Sequence, residues 1–230
     1  MTTFRDARPL RGGAPIVRTV LWPTRAQLTV RGPRLLGGLA IVAFGVALMV
    51  QAGFGLAPYE VLNEGLARHA GLTIGQASIA IGLVVLAVWL PLRQRPGIGT
   101  VTNVVGVGLM LDAWLVVLPE PELLAIRVSW TAVGVVLVGV GIGMYIGAGL
   151  GPGPRDGVMT GLAVRGFPVW AVRLVLETSA LLLGWSLGGT VGLGTVAFAL
   201  GVPVVADRSL RWLSVPDDPR PMRPPPTTRG

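Results

Sequence analysis

The sequence predicts an all-α membrane protein in which six transmembrane helices form two inverted three-helix repeats. Three features of the chain lead to this fold class. Only 13% of its 230 residues are charged and 52% are hydrophobic, which is about half the charge of a soluble domain. Six long apolar runs follow one another, and a glycine-rich block recurs in the second half. So few charges cannot cover a water-soluble surface, and soluble enzyme folds are therefore excluded.

Six apolar runs approach the roughly 20 residues that a helix needs to span a bilayer. They cover residues 35–53, 74–92, 98–118, 128–149, 169–188 and 192–206. The sixth run is the shortest, and it contains Pro203. We therefore predict a first three-helix repeat over 35–118, an outer loop over 119–127 and a second repeat over 128–213.

The two ends of the chain are basic and lack long apolar runs. Residues 1–34 hold seven of the 19 arginines, and the chain has no lysine. Residues 214–230 hold six prolines, a composition typical of disordered segments. We predict a basic disordered cytoplasmic arm over 1–34 and a Pro/Arg-rich disordered cytoplasmic tail over 214–230. The formal charge of +8 then favours anionic lipid as the partner of the arm, and not nucleic acid.

The placement of the arginines predicts the orientation of the chain. When the six runs are drawn as crossings, 17 arginines fall on one side of the membrane and only Arg68 and Arg127 fall on the other. Because arginine-rich loops stay in the cytoplasm, both termini are predicted to be cytoplasmic.

The chain contains an internal duplication. Residues 52–67 recur as residues 148–163, with seven of the sixteen positions identical, and residues 97–101 recur as 192–196. Two blocks that repeat in nearly one register indicate a duplicated unit. Each copy holds three crossings, and an odd number of crossings forces the copies into opposite orientations. Inverted repeats of this kind are typical of secondary transporters.

A short polar segment follows the first helix of each copy, at 58–70 and 154–166. As a helix it reaches about 20 Å, which is less than the roughly 30 Å of the bilayer core. Two interpretations are open: an acidic first turn that complements the helix dipole, or a broken membrane helix whose half-helix N-terminus faces a cavity. The candidate substrate and gate residues in and before these segments are Gly53, Gly55, Pro58, Glu60, Gly149, Gly151, Pro154, Arg155 and Asp156.

Two further acids, Asp112 and Asp207, occupy equivalent positions in the two copies. We predict one acid pair at each mouth of the protein, with Glu60 and Asp112 toward the outer face and Asp156 and Asp207 toward the inner face. The alternative is that Asp112 and Asp207 mark helix ends in the headgroup zone.

Arg173 and Glu177 lie one helical turn apart inside an apolar run and have no charged counterparts in the first copy. A carboxylate at this depth needs a partner or water. The two residues therefore form either a structural ion pair or a substrate or proton site. Asn103 is a weaker polar candidate, and Tyr145, which lies in a row of glycines, is assigned to close helix packing.

The chain carries no motif for a metal, a cofactor or an enzyme reaction. It has no cysteine and one histidine, His69, which excludes disulfides and makes a metal site unexpected. The Gly149-x-Gly151-x-Gly153 pattern lacks the lysine and the hydroxyl residue of a nucleotide-binding loop. No nucleophile, base and orienting group occur at informative spacing, so we do not expect an enzyme.

Three segments carry a resemblance to a known family: AGFGLAPYEVLNEGL at 52–66, AGLGPGPRDGVMTGL at 148–162 and PLRQRPGIGT at 91–100. They resemble the YczE/YyaS/YitT-type family of bacterial multi-pass membrane proteins, and the resemblance covers about residues 31–213. Relatives commonly read Pro-Trp-Asp where this chain has Pro58-Tyr59-Glu60, so the acid is kept. The resemblance implies a membrane protein without an established substrate.

We therefore expect a bacterial plasma-membrane protein that carries a small solute by alternating access. The two glycine-proline half-helices would act as gates, and the acids would couple a proton or a cation to their opening. The alternative is a membrane scaffold or accessory subunit that binds another membrane protein through its glycine-rich faces. A homo-oligomer is compatible with both.

Overall fold

The computed structural model describes residue 20 and residues 23–213. Within these residues the chain forms eight helices and no strand. The helices are α1 (Arg25–Ala52), α2 (Pro58–Ala70), α3 (Ile74–Leu92), α4 (Ile98–Val117), α5 (Leu124–Gly147), α6 (Pro154–Ala163), α7 (Val169–Ser186) and α8 (Leu193–Leu213). The predicted tail over 214–230 and most of the predicted arm lie outside the described residues.

Six of the helices are long and apolar enough to cross a membrane, namely α1, α3, α4, α5, α7 and α8. Each of them coincides with one predicted run, which confirms the all-α fold and the six candidate spans. The other two, α2 and α6, have 13 and 10 residues. They are about 20 and 15 Å long and too short to span.

Helix α1 begins at Arg25, well before the predicted run that starts at residue 35. The Thr24 hydroxyl accepts a hydrogen bond from the Gln27 N–H, and the Gln27 side chain accepts one from the Thr24 N–H. This reciprocal pair is a capping box, which starts a helix. The predicted disordered arm is therefore wrong over residues 25–34. Arg31 is buried within this stretch.

Helices α1 and α5 pack closely as an antiparallel pair at the centre of the fold. A Cβ added at Gly45 would lie 2.9 Å from the Gly134 carbonyl oxygen, and one at Gly38 would lie 2.7 Å from the Tyr145 nitrogen. The two backbones therefore approach where neither side has a side chain. This is the usual way in which membrane helices gain van der Waals contact without a hydrophobic driving force.

The short helices pack on long helices that are distant in the sequence. Helix α2 lies against α7, where Gly65 faces the Gly184 carbonyl, and α6 lies against α3, where Gly157 faces the indole ring of Trp89. Helix α8 covers the glycines of α5, since a Cβ at Gly139 would meet Val205. Through these contacts both short helices lie inside the bundle.

Candidate functional site

The chain leaves helical geometry in two equivalent stretches, 53–57 and 149–153, just before the short helices begin. Gly53 and Gly149 both have φ of 66°, while Gly55 and Gly151 have φ of 107° and 138°. Residues with a side chain rarely adopt positive φ, so glycine is favoured at all four positions, most strongly at Gly55 and Gly151. The candidate glycines of the sequence are therefore the residues that turn the chain from a long helix into a short one.

Each stretch is held by the first turn of a distant helix. The Gly194 N–H donates to the Phe54 carbonyl at 2.8 Å, and the Gly99 N–H donates to the Leu150 carbonyl at 2.9 Å. Backbone groups freed by the break are thus partly satisfied by protein, which irregular backbone at membrane depth requires.

Two arginines stabilise the ends of the helices that precede the breaks. Arg31 Nη1 donates to the Ala148 carbonyl at 3.1 Å, and Arg127 Nε donates to the Ala52 carbonyl at 2.7 Å. The Arg127 guanidinium also lies 4.7 Å from the centre of the Phe54 ring. Sequence reasoning missed this role, although Arg31 and Arg127 share the 96-residue offset of the duplicated block. Each arginine supplies a positive charge where the helix dipole is negative.

A cavity of about 90 Å³ lies between the N-terminal ends of α2 and α6. Its walls come from both short helices and from α1, α3, α4, α5 and α8, and most of the aliphatic lining is valine and isoleucine. The polar side chains that line it are those of Tyr59, Glu60, Asn63, Ser78, Asn103, Tyr145, Arg155 and Asp156. A cleft with apolar walls and a few convergent polar groups is the usual form of a small-molecule site.

Three charged side chains meet in the cavity. Glu60 Oε2 accepts a hydrogen bond of 2.6 Å from Asn63 Nδ2. The Arg155 guanidinium lies 4.7 Å from the centre of the Tyr59 ring, a cation–π contact. Asp156 Oδ2 lies 3.1 Å, and the Tyr145 hydroxyl 2.9 Å, from the position that a Cβ would take at Gly153.

Glu60 and Asp156 lie on the short helices, outside the six candidate spans. Burial raises the pKa of both carboxyls above the ordinary value, and the nearby Arg155 opposes this rise. Groups of this kind in a cleft are candidates for binding and releasing protons.

The predicted acid pairs at opposite mouths are wrong, because Glu60 and Asp156 line the same cavity. Asp112 is not next to Glu60; its carboxylate accepts hydrogen bonds from the Gly75 N–H at 2.8 Å and from the Thr73 hydroxyl, at the start of α3. Asp112 therefore stabilises the N-terminus of a helix.

Asp207 is also apart from its predicted partner. Its carboxylate forms an ion pair with Arg211 Nη2 at 2.9 Å on α8. Equivalent positions in the two copies thus place these acids near helix ends but do not bring them to the cavity.

Arg173 and Glu177 form the ion pair that their spacing suggested, with Nε and Oε1 2.8 Å apart. Their side chains are 49% and 34% exposed, so the pair lies at the surface of the bundle and does not line the cavity. It is close enough to act electrostatically on Asp156 and Tyr59. The pair carries one positive and one negative charge, so it adds no net charge to its surroundings.

One contact that differs between the two halves of the chain involves Trp89. Trp89 is buried, and its Nε1 donates to the Pro154 carbonyl at 2.9 Å, so that it holds the first residue of α6. Trp185, at the equivalent position, is 63% exposed. Gly157 leaves room for the Trp89 ring, whereas the equivalent position beside α7 is occupied by Val61.

Comparison with known proteins identifies the family. Residues 30–208 match the profile of a family of unknown function, DUF6198. The chain belongs to this family. Proteins that resemble it include an uncharacterized protein of Haemophilus influenzae, 40% identical over 169 residues, which covers 73% of this chain and 78% of that protein.

Two relatives come from Bacillus subtilis strain 168. The uncharacterized membrane protein YczE is 37% identical over 179 residues, which covers 76% of this chain and 83% of YczE. The uncharacterized protein YyaS is 26% identical over 167 residues, which covers 69% of this chain and 82% of YyaS. No solved structure matches the chain. These findings confirm the YczE/YyaS-type resemblance and, with the six apolar helices, establish a multi-pass integral membrane protein.

Proposed function

We propose that this DUF6198 protein is a secondary transporter that carries a small solute across a bacterial plasma membrane by alternating access. The observation that supports this most is the cavity between the N-termini of α2 and α6, where Glu60, Arg155 and Asp156 meet. In secondary transporters the substrate site commonly lies where two broken helices end near the bilayer midplane.

We further propose that α1–α4 and α5–α8 are inverted repeats, with both termini in the cytoplasm. The matched contacts support this proposal. The hydrogen bonds from Gly194 to Phe54 and from Gly99 to Leu150 are equivalent under offsets of 96 and 95 residues. The contacts of Arg31 and Arg127 are equivalent in the same way, and α1 and α5 run antiparallel.

In the proposed cycle the two short helices alternately close the cavity toward the outer and the inner solution. Glu60 and Asp156 would bind protons when the cavity faces one solution and release them to the other, so that solute movement is coupled to proton movement. Tyr59 and Asn63 would orient the solute, since both line the cavity on α2.

Cysteine labelling tests the inversion, because the chain has no native cysteine. Leu72 and Phe167 lie in the loops that follow the two short helices, and both are exposed. We expect a membrane-impermeant maleimide to label Leu72→Cys from outside intact cells and Phe167→Cys only in inverted membrane vesicles. Labelling of both from one side would exclude inverted repeats.

Transport is tested with purified protein in liposomes that contain a pH-sensitive dye. A screen of small solutes should identify one whose downhill movement carries protons, and Glu60→Gln and Asp156→Asn should abolish the proton signal. Glu120→Gln, at an exposed site in the loop before α5, is the matched control and should behave as the parent protein. Absence of any solute-dependent flux in correctly folded protein would instead favour a scaffold.

A further inference from the structure

We propose that the cavity binds a small monovalent anion with planar oxygen geometry, such as a short-chain carboxylate. This inference rests on the proposed function, because it assigns a substrate class to the same cavity. Three features carry it: the state of Arg155, the two helix N-termini and the size of the cavity.

Arg155 has hydrogen-bonding capacity that the protein does not use. Its guanidinium lines the cavity over the face of Tyr59. Among residues 20 and 23–213, it makes no hydrogen bond and no ion pair within 4.0 Å. By contrast, Arg31, Arg68, Arg127 and Arg165 all donate to backbone carbonyls. A guanidinium carries five N–H donors in a planar fork that matches the two oxygens of a carboxylate.

The N-terminal ends of α2 and α6 both border the cavity, and neither N-cap residue, Ala57 or Gly153, has a side chain that caps its helix. At α6 the Asp156 carboxyl accepts a hydrogen bond from the Gly153 N–H. Proline occupies the first position of each helix, and the next backbone N–H groups carry the partial positive charge of the helix end. Helix N-termini bind anions for this reason, and here two of them border the cavity that Arg155 also lines.

The carboxylates of Glu60 and Asp156 control the charge of the site. With both ionised, the cavity holds two negative charges and the positive charge of Arg155, so an anion is repelled. With both protonated, only Arg155 is charged and an anion is attracted. The anion would therefore bind together with protons and leave together with them.

Within the described part of the chain, no other charged group near the Glu60 and Asp156 carboxyls changes the net charge of the site. The titratable and charged groups near them are Tyr59 and Glu60 on α2, Tyr145 on α5, Arg155 and Asp156 on α6, and the neutral Arg173–Glu177 pair on α7. The cavity walls from α1, α3, α4 and α8 contribute no charged side chain. Glu60 and Asp156 are thus the groups whose protonation sets the sign of the site.

The size of the cavity limits the anion. A cavity of roughly 150 Å³ accommodates benzene, with six heavy atoms, and the cavity here measures about 90 Å³. If the number of heavy atoms scales with cavity volume, a solute of about four heavy atoms fits. Acetate and nitrate have this size and are planar around the atom that bears the oxygens.

Calorimetric titration of the full-length protein in detergent with sodium nitrate tests the proposal, because nitrate keeps its charge across the pH range used. Across a titration series from about pH 5 to about pH 9, we expect saturable binding at the acid end that weakens at least roughly tenfold toward the alkaline end, as the carboxyls lose protons. Acetate should compete with nitrate. Arg155→Gln should weaken nitrate binding at least roughly tenfold, whereas Arg155→Lys, which keeps the charge without the planar fork, should retain part of it.

Arg208→Gln makes the same chemical change at an exposed position on α8 and should bind nitrate as the parent does. Thermal unfolding of each variant identifies any that fails to fold, and the pH dependence of the parent protein tests the proposal without a variant. The proposal is overturned if folded parent protein binds neither nitrate nor acetate at the acid end of the series, if Arg155→Gln binds like the parent, or if methylammonium binds in their place. Anion binding without solute flux in liposomes would contradict the transporter proposal and leave this one intact.

Discussion

Replacing Trp89 by phenylalanine is the sharpest test of how α6 is held in the bundle. Trp89 is only 2% exposed, and its Nε1 donates to the Pro154 carbonyl at 2.9 Å. Its ring fills the space above Gly157, where an added Cβ would overlap it. Phenylalanine keeps one aromatic ring but removes the N–H donor and the atoms of the second ring.

The expected loss follows from these contacts. The Pro154 carbonyl would lose its partner inside the protein, which costs about 1–3 kcal/mol, and the void left by the smaller ring adds about 1 kcal/mol. We therefore expect Trp89→Phe to lower the free energy of unfolding by about 2–4 kcal/mol. Trp185→Phe makes the same change at the equivalent position, which is 63% exposed, and should stay within about 0.5 kcal/mol of the parent.

Unfolding by sodium dodecyl sulfate in mixed micelles, followed by far-ultraviolet circular dichroism, measures both variants without relying on tryptophan fluorescence. Equal losses in Trp89→Phe and Trp185→Phe would refute the reasoning, because they would mean that the buried hydrogen bond to the start of α6 contributes nothing. A change confined to Trp89→Phe would assign the stability to this one contact.

Two further predictions use the same measurement. Gly157→Ala would force the Trp89 ring to move and should cost about 3 kcal/mol. Gly106→Ala on α4, whose new methyl group would make only ordinary van der Waals contacts of 3.8 and 3.9 Å, should be neutral or stabilise by up to about 1 kcal/mol. Equal effects would contradict the close packing. Arg127→Gln should lower the free energy of unfolding by about 2 kcal/mol, because it removes the hydrogen bond of 2.7 Å to the last carbonyl of α1 and the cation–π contact with Phe54. Arg25→Gln, at an exposed position, is the control and should change the stability little. Similar losses in both variants would argue against a role of Arg127 in stabilising the end of α1.

The long helices were predictable because lipid imposes a simple rule on sequence. A span needs about 20 apolar residues, and each predicted run corresponds to one helix. The start of α1 was not predictable by this rule, since Arg25, Arg31 and Arg34 interrupt its apolar pattern. Arg31 is accommodated only because the Ala148 carbonyl, 117 positions away, accepts its hydrogen bond. A contact between residues far apart in the chain leaves no pattern in the sequence around either residue.

The candidate site was predictable in its residues but not in its geometry. The repeated glycine-proline segments identified Glu60, Arg155 and Asp156, and all three line the cavity. The sequence did not predict that they meet in one cavity. Residues at equivalent positions of a repeat share the same local surroundings, but the repeat does not determine how far apart they lie. Tyr145 was assigned to packing from its row of glycines, yet its hydroxyl lies beside Asp156 in the cavity.

The two halves of the chain differ at Trp89, and in a carrier such a difference makes the outward-open and inward-open states unequal in free energy. If two identical repeats exchanged roles between outward-open and inward-open states, the two states would have equal free energies. The hydrogen bond from Trp89 to Pro154 exists on one side only, because Gly157 admits the indole ring there and Val61 occupies the equivalent position in the other half. A contact present in only one state shifts the equilibrium toward that state by its own free energy. Under the proposed mechanism, a state in which α6 moves away from α3 would lose the hydrogen bond from Trp89, and binding of solute and protons at the start of α6 would have to supply the free energy that releases it.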